Sequence, residues 1–325
     1  MITMNRIALP SARTLLATAA LAAMVALPAV AQDAAPAAPA SPKAPAAPKA
    51  PAAPKAPAKP AAPKAPAAPA LKELPVEGQK PTAKDVFTKH LDAAGGKAAW
   101  EAKKSMVAKG SIEIPAAQLK GAMNTVAASP DRVAVSMDLP GIGTTAQCFD
   151  GTTGWSMDPM RGPALMGEKE VAQVKRDANF LRDLQMANDP GTAEVAGLVE
   201  FEGAPCWHVK VDGTSVLDAK DTGLMKGMMM SAATPMGDLP VTVLMEEYKD
   251  FGDVKMATRS TTKVMGQTQV MSFDSVEWNA AKDDAFAMPA EIKAMQDAAK
   301  GGADGAATGG AADAPKAKDA PKAAP

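Results

Sequence analysis

The chain is poor in the residues that usually carry chemistry. It has two histidines and two cysteines in 325 residues. His90 and His208 each lack a partner histidine or cysteine at a metal-site spacing, so both read as structural residues. No Gly-x-Ser-x-Gly, Walker loop or His-Glu-x-x-His occurs. Glu246-Glu247 would point to opposite faces of a strand, and Asp283-Asp284 reads as a solvated pair after the last strand. No catalytic constellation emerges, and no metal or cofactor site is implied. Aromatic residues are also few, with seven Phe, four Trp and one Tyr. That is sparse for a sheet protein, and 21 methionines take up part of the apolar load.

Long hydrophobic runs are missing too. The stretch from Leu15 to Val30 follows Arg6 and Arg13 and ends in Ala29-Val30-Ala31. It is too short and alanine-rich for a membrane span, and it reads as an export signal cleaved after Ala31. No cysteine stands at that junction to carry a lipoprotein anchor. The expected compartment is a Gram-negative periplasm, with the protein not integral to the membrane.

Residues 32–80 are dominated by Ala, Pro and Lys and cannot bury a core. They read as a disordered arm, extended where prolines favour polyproline geometry. Seven lysines against Glu73 and Glu77 give residues 34–80 a net charge of +5. This arm is either a solvated spacer or a contact for anionic envelope polymers. Residues 291–325, rich in Ala, Gly, Lys and Asp, read as a second disordered arm. Between them lies one domain, 81–290, and its acidic balance excludes nucleic acid as a main partner. Over 82–290, 21 Lys and Arg stand against 28 Asp and Glu, a net of −7.

Within the domain, Val86, Phe87, His90, Leu91 and Ala94 share one face of a predicted helix over 82–94, which Gly95-Gly96 stops. A short helix with Trp100 follows, and then the hydrophobic period changes to two. Ile112 and Ile114 alternate with Ser111 and Glu113, and Val133, Val135 and Met137 alternate with Arg132, Ser136 and Asp138. A hairpin centres on Asp150-Gly151 and Gly154, with Phe149 and Trp155 flanking its turn. A single helix is predicted over 167–185, followed by up to seven strands. A parity change between Phe273 and Val276 predicts a bulge near Asp274-Ser275. The fold class expected is mainly β with α: one curved antiparallel sheet of ten or eleven strands, a half-open barrel with helices on its concave side.

Cys148 ends one strand and Cys206 begins another, each beside an aromatic residue. In an oxidising compartment they are expected to form a disulfide, the alternative being two buried free thiols. Met225, Met228, Met229, Met230 and Met236 form a cluster. It suits copper(I) or, without flanking His or Cys, flexible apolar filling.

Phe149-Asp150-Gly151, Gly154-Trp155, Asp158-Pro159, Gly203-Ala204-Pro205-Cys206-Trp207-His208-Val209 and Tyr248-Lys249-Asp250-Phe251 follow one another in that order. The domain thereby resembles the LolA-like superfamily of outer-membrane lipoprotein-sorting proteins. It departs from that pattern at Gly252-Asp253, where members commonly read Asp-Gly, and it has no match for the arginine that latches the carrier's lid. The resemblance implies a non-enzymatic protein holding an acyl chain, lipid or lipoprotein in an apolar groove. Ile112, Ile114, Val133, Val135, Met137, Trp155, Met228 and Met230 are the expected lining. The alternative is a structural or interaction module of the envelope with a self-filled core.

Overall fold

The computed structural model describes residues 71–234 and 237–306. The expected export signal, the Ala/Pro/Lys arm up to residue 70, Met236 and the last nineteen residues lie outside them. Thr82 caps helix α1 (Ala83–Ala93): its hydroxyl accepts from the Asp85 N–H at 3.2 Å, and the Asp85 carboxylate accepts from the Thr82 N–H at 2.9 Å. Helix α2 (Gly96–Glu101) follows. The next six strands are β2 (Ser105–Ile114), β3 (Leu119–Ala128), β4 (Arg132–Leu139), β5 (Gly143–Phe149), β6 (Gly154–Asp158) and β7 (Gly162–Leu165).

Helices α3 (Glu168–Asp177) and α4 (Arg182–Asn188) then lead to a second run of strands. These are β8 (Glu194–Phe201), β9 (Ala204–Val211), β10 (Thr214–Ala219), β11 (Met225–Thr234), β12 (Gly237–Phe251), β13 (Val254–Val264) and β14 (Gln267–Trp278). A strand β1 (Lys72–Leu74) precedes α1, and helix α5 (Ala290–Ala306) closes the described chain.

All fourteen strands form a single antiparallel sheet, ordered β1, β8 to β14, then β2 to β7. Two meanders thus join where β14 pairs with β2, and the curved sheet stays open between β1 and β7, as a half-open barrel does. The parity change is a bulge: the β14–β2 register shifts between Phe273 and Ser275. The predicted single helix over 167–185 is two helices. Phe180 leaves the helical ladder, its N–H donating to the Pro130 carbonyl at 3.0 Å, and its ring is buried.

Alternation sorts each strand between two faces. The inner face carries the principal core, where β-strand residues such as Ile112, Phe149, Val209 and Met271 meet Phe87 and Leu91 of α1 and Leu184 of α4. Each such side chain contributes roughly 1.5–3 kcal/mol when fully buried. The outer face carries two smaller clusters, one around Cys148 and Trp155, the other around Cys206 and Leu217.

Three expectations are corrected here. The boundaries at 80 and 290 fall inside ordered chain: Lys72–Leu74 pairs with β8, and 290–306 is helical. Composition hid both, since three residues suffice for β1 and only Ile292 anchors the start of α5, fully buried. Secondly, one helix lies on the outer face. Arg132 pairs with Asp283 at 2.8 Å and stacks on Phe286, and Gln296 donates to the Thr153 hydroxyl at 3.0 Å, which docks α5 against the β5–β6 hairpin.

Thirdly, Cys148 and Cys206 are free thiols. Both do point away from their aromatic neighbours, but β5 and β9 are far apart in the strand order, and each sulfur sits in its own outer cluster. Burial, with Asp150 adding to it, pushes the Cys148 thiol up to about 12. Burial and Asp218 push Cys206 up to about 11. Maleimide at pH 8 is therefore expected to label neither thiol in the native protein and both after unfolding without reductant. Failure to label the unfolded chain would restore the disulfide.

Candidate functional site

Sheet, helices and buried polar groups converge on the inner face. Of the expected lining residues, Ile112, Val133, Val135, Met137 and Met228 are buried in the principal core, and Met230 packs against it. Ile114 is buried two residues along β2 from Ile112, on the same face. Trp155 is placed on the other side. It lies opposite Cys148 across β5–β6 and packs in the outer cluster with Phe286 and Ile292.

Nine buried methionines belong to this inner core, among them Met106, Met123, Met225, Met245 and Met256. Three unbranched torsions let each thioether fill irregular space, and that replaces the missing rings. A cavity of about 40 Å³ remains between α1, α4 and β11–β13, lined by His90, Trp100, Asp183, Met225, Met245 and Tyr248. The Tyr248 hydroxyl donates to the Met225 carbonyl at 2.8 Å, and the Trp100 indole donates to the Ala94 carbonyl at 3.2 Å. Both hold rings at the rim. The volume suits a few waters, whereas ligand pockets commonly run to roughly 300–1,000 Å³.

At one end of the cavity lies a buried acid–imidazole group. His90 Nδ1 is 3.1 Å from the Gly223 carbonyl oxygen and 3.5 Å from Asp218 Oδ1, and Nε2 is 4.0 Å from Asp183 Oδ2. All three side chains are less than a tenth exposed. They come from α1, α4 and β10, so the group ties the helix pair to the sheet. Sequence reasoning placed His90 on the inward face but missed its partners, which lie far along the chain. One signal was available: Asp218 follows Val216 at an inward position of β10, where alternation calls for an apolar residue. His208, by contrast, is on the outer side of β9, 2.9 Å from the Ser215 hydroxyl, with its pKa lowered by burial and then by Lys210.

Among the described residues no group of three or more His, Cys, Asp or Glu is placed to hold a metal, and no helix is long and apolar enough to cross a membrane. No family model matches the chain, and no curated protein matches it. Solved structures similar to it include a LolA superfamily protein from Nitrosomonas europaea, at 12% identity and a TM-score of 0.45, covering 64% of this chain and 99% of that one. A putative outer membrane lipoprotein-sorting domain from Vibrio parahaemolyticus is similar at 11% identity and 0.43, covering 62% and 95%. A DUF1329 family protein from Desulfovibrio piger is similar at 12% and 0.43, covering 63% and 96%.

Proposed function

We propose that this domain is an exported, non-enzymatic binding protein that holds an acyl chain of a lipid or lipoprotein between its inner face and the α1/α4 helix pair. The observation that carries this is the methionine content of the inner core: nine buried thioethers, of which Met225, Met245 and Met256 line the cavity. A methionine-lined surface can repack around a flexible apolar guest, and a Leu- or Phe-packed core resists doing so. Since the cavity is about 40 Å³, α1 and α4 lift from the sheet to admit the chain. Apolar contact then contributes about 25 cal/mol per Å² removed from water.

Organic extraction of the protein purified from its native envelope, followed by mass spectrometry, is expected to release an acyl-bearing molecule in near-equal amount to protein. Met228→Leu, which keeps volume but stiffens the side chain, is expected to weaken binding of a dansyl fatty acid several-fold with little loss of stability. The smallness of the cavity favours a second reading, a self-filled envelope module whose basic arm contacts anionic polymers. Absence of both extractable lipid and dansyl fatty acid binding would leave that one standing.

A further inference from the structure

A second polar group lies on the same inner face and carries no formal charge. Ser260 and Thr262 of β13 and Gln269 of β14 are 0%, 1% and 0% exposed. Thr262 stands between Val243 and Gln269 in register, and Ser260 stands between Met245 and Met271. Val243, Met245 and Met271 belong to the principal core, and Met245 lines the cavity beside His90. The polar set is therefore one strand beyond the cavity wall, embedded in apolar surface. The Ser260 Oγ, the Thr262 Oγ1 and both amide atoms of Gln269 have no hydrogen-bond partner in the protein. Buried polar atoms are rarely left so, because each has given up its water. Four such atoms clustered on two adjacent strands need an occupant.

The chemistry of the set selects what fits. The Gln269 carboxamide offers an N–H donor beside a carbonyl acceptor, and its complement is another amide. The two hydroxyls can donate or accept as required. An ester offers only acceptors and leaves the Gln269 carbonyl unanswered. A carboxylate there would need a cation, and these three side chains are all neutral. We propose that Ser260, Thr262 and Gln269 form a subsite for the amide linkage of an N-acylated ligand, its hydrocarbon running over the methionines. This rests on the acyl-binding reading above and names the ligand class within it.

The test is displacement of a bound dansyl fatty acid from the full chain by three chains of matched length: N-methylpalmitamide, methyl palmitate and octadecane. The amide is expected to displace about tenfold better than the alkane, with the ester between. Gln269→Leu should remove the amide's advantage and raise the melting temperature, because it deletes an unanswered amide. Thr262→Val, nearly isosteric, should remove a smaller part and covers the case in which Gln269→Leu misfolds. Equal displacement by all three ligands overturns the subsite while leaving acyl binding intact. No dansyl binding at all overturns both. If Gln269→Leu raises the melting temperature but the amide keeps its advantage, the set holds only water and the proposal fails.

Discussion

Replacing Gly110 with valine is expected to leave no folded protein, and alanine is expected to cost more than about 4 kcal/mol. Gly110 is in the middle of β2, opposite Phe273 and beside the bulge at Asp274. A Cβ added there would press into the Ser272 carbonyl group and the Phe273 Cα, all backbone. Flexible side chains can turn away from such a collision, but a paired strand cannot without losing the β14–β2 ladder. That ladder joins the two meanders, so the loss is global against a total stability of about 5–15 kcal/mol. Gly197 in β8 is the control. Its Cβ would meet nothing within 4 Å, and alanine there is expected to be neutral or mildly stabilising. Urea unfolding of both alanine variants decides the matter. Similar midpoints would show that the strand contact yields more easily than its geometry indicates.

Removing the Asp218 carboxylate comes next in size. Asp218→Ala is expected to destabilise by about 3–5 kcal/mol, since it removes one member of a buried polar group and leaves the others without it. His90→Leu alone should cost a similar amount for the same reason, whereas His90→Leu with Asp218→Leu should recover much of the loss. The Lys72–Glu200 pair sets the scale at the surface: its side chains are 73% and 41% exposed. Glu200→Gln should change stability by less than about 1 kcal/mol. Denaturant titration of the four variants at one pH is the measurement. A cost under about 1 kcal/mol for Asp218→Ala would mean that this group does not hold α1 and α4 to the sheet.

What the sequence disclosed, and what it withheld, follows the range of the interactions involved. The α1 stripe, the alternation of β2 and β4, and the bulge after Phe273 are local patterns, and each was readable within a dozen residues. The side of the sheet taken by Trp155 was not. It depends on the hairpin register, Cys148 opposite Trp155, and a slip of one residue would reverse it. The disulfide failed for a related reason: alternation placed both cysteines on one face, but only the strand order shows how far apart β5 and β9 lie. The break at Phe180 depends on its N–H donating to the carbonyl of Pro130, many residues upstream. The polar set of Ser260, Thr262 and Gln269 did leave a trace. Its members take inward positions in strands where Val264 and Met271 mark the apolar face.

The strand order places β1 at one margin of the sheet and β7 at the other. An open sheet of fourteen strands would ordinarily invite a second molecule to add its own strand at either margin. Here one margin is only three residues long and begins with Lys72, and the other is four residues, includes Pro163 and lies against α5. A proline removes one ladder donor, and a charged, abbreviated strand offers little length to copy. The half-barrel can therefore stay open without becoming a template for fibrils.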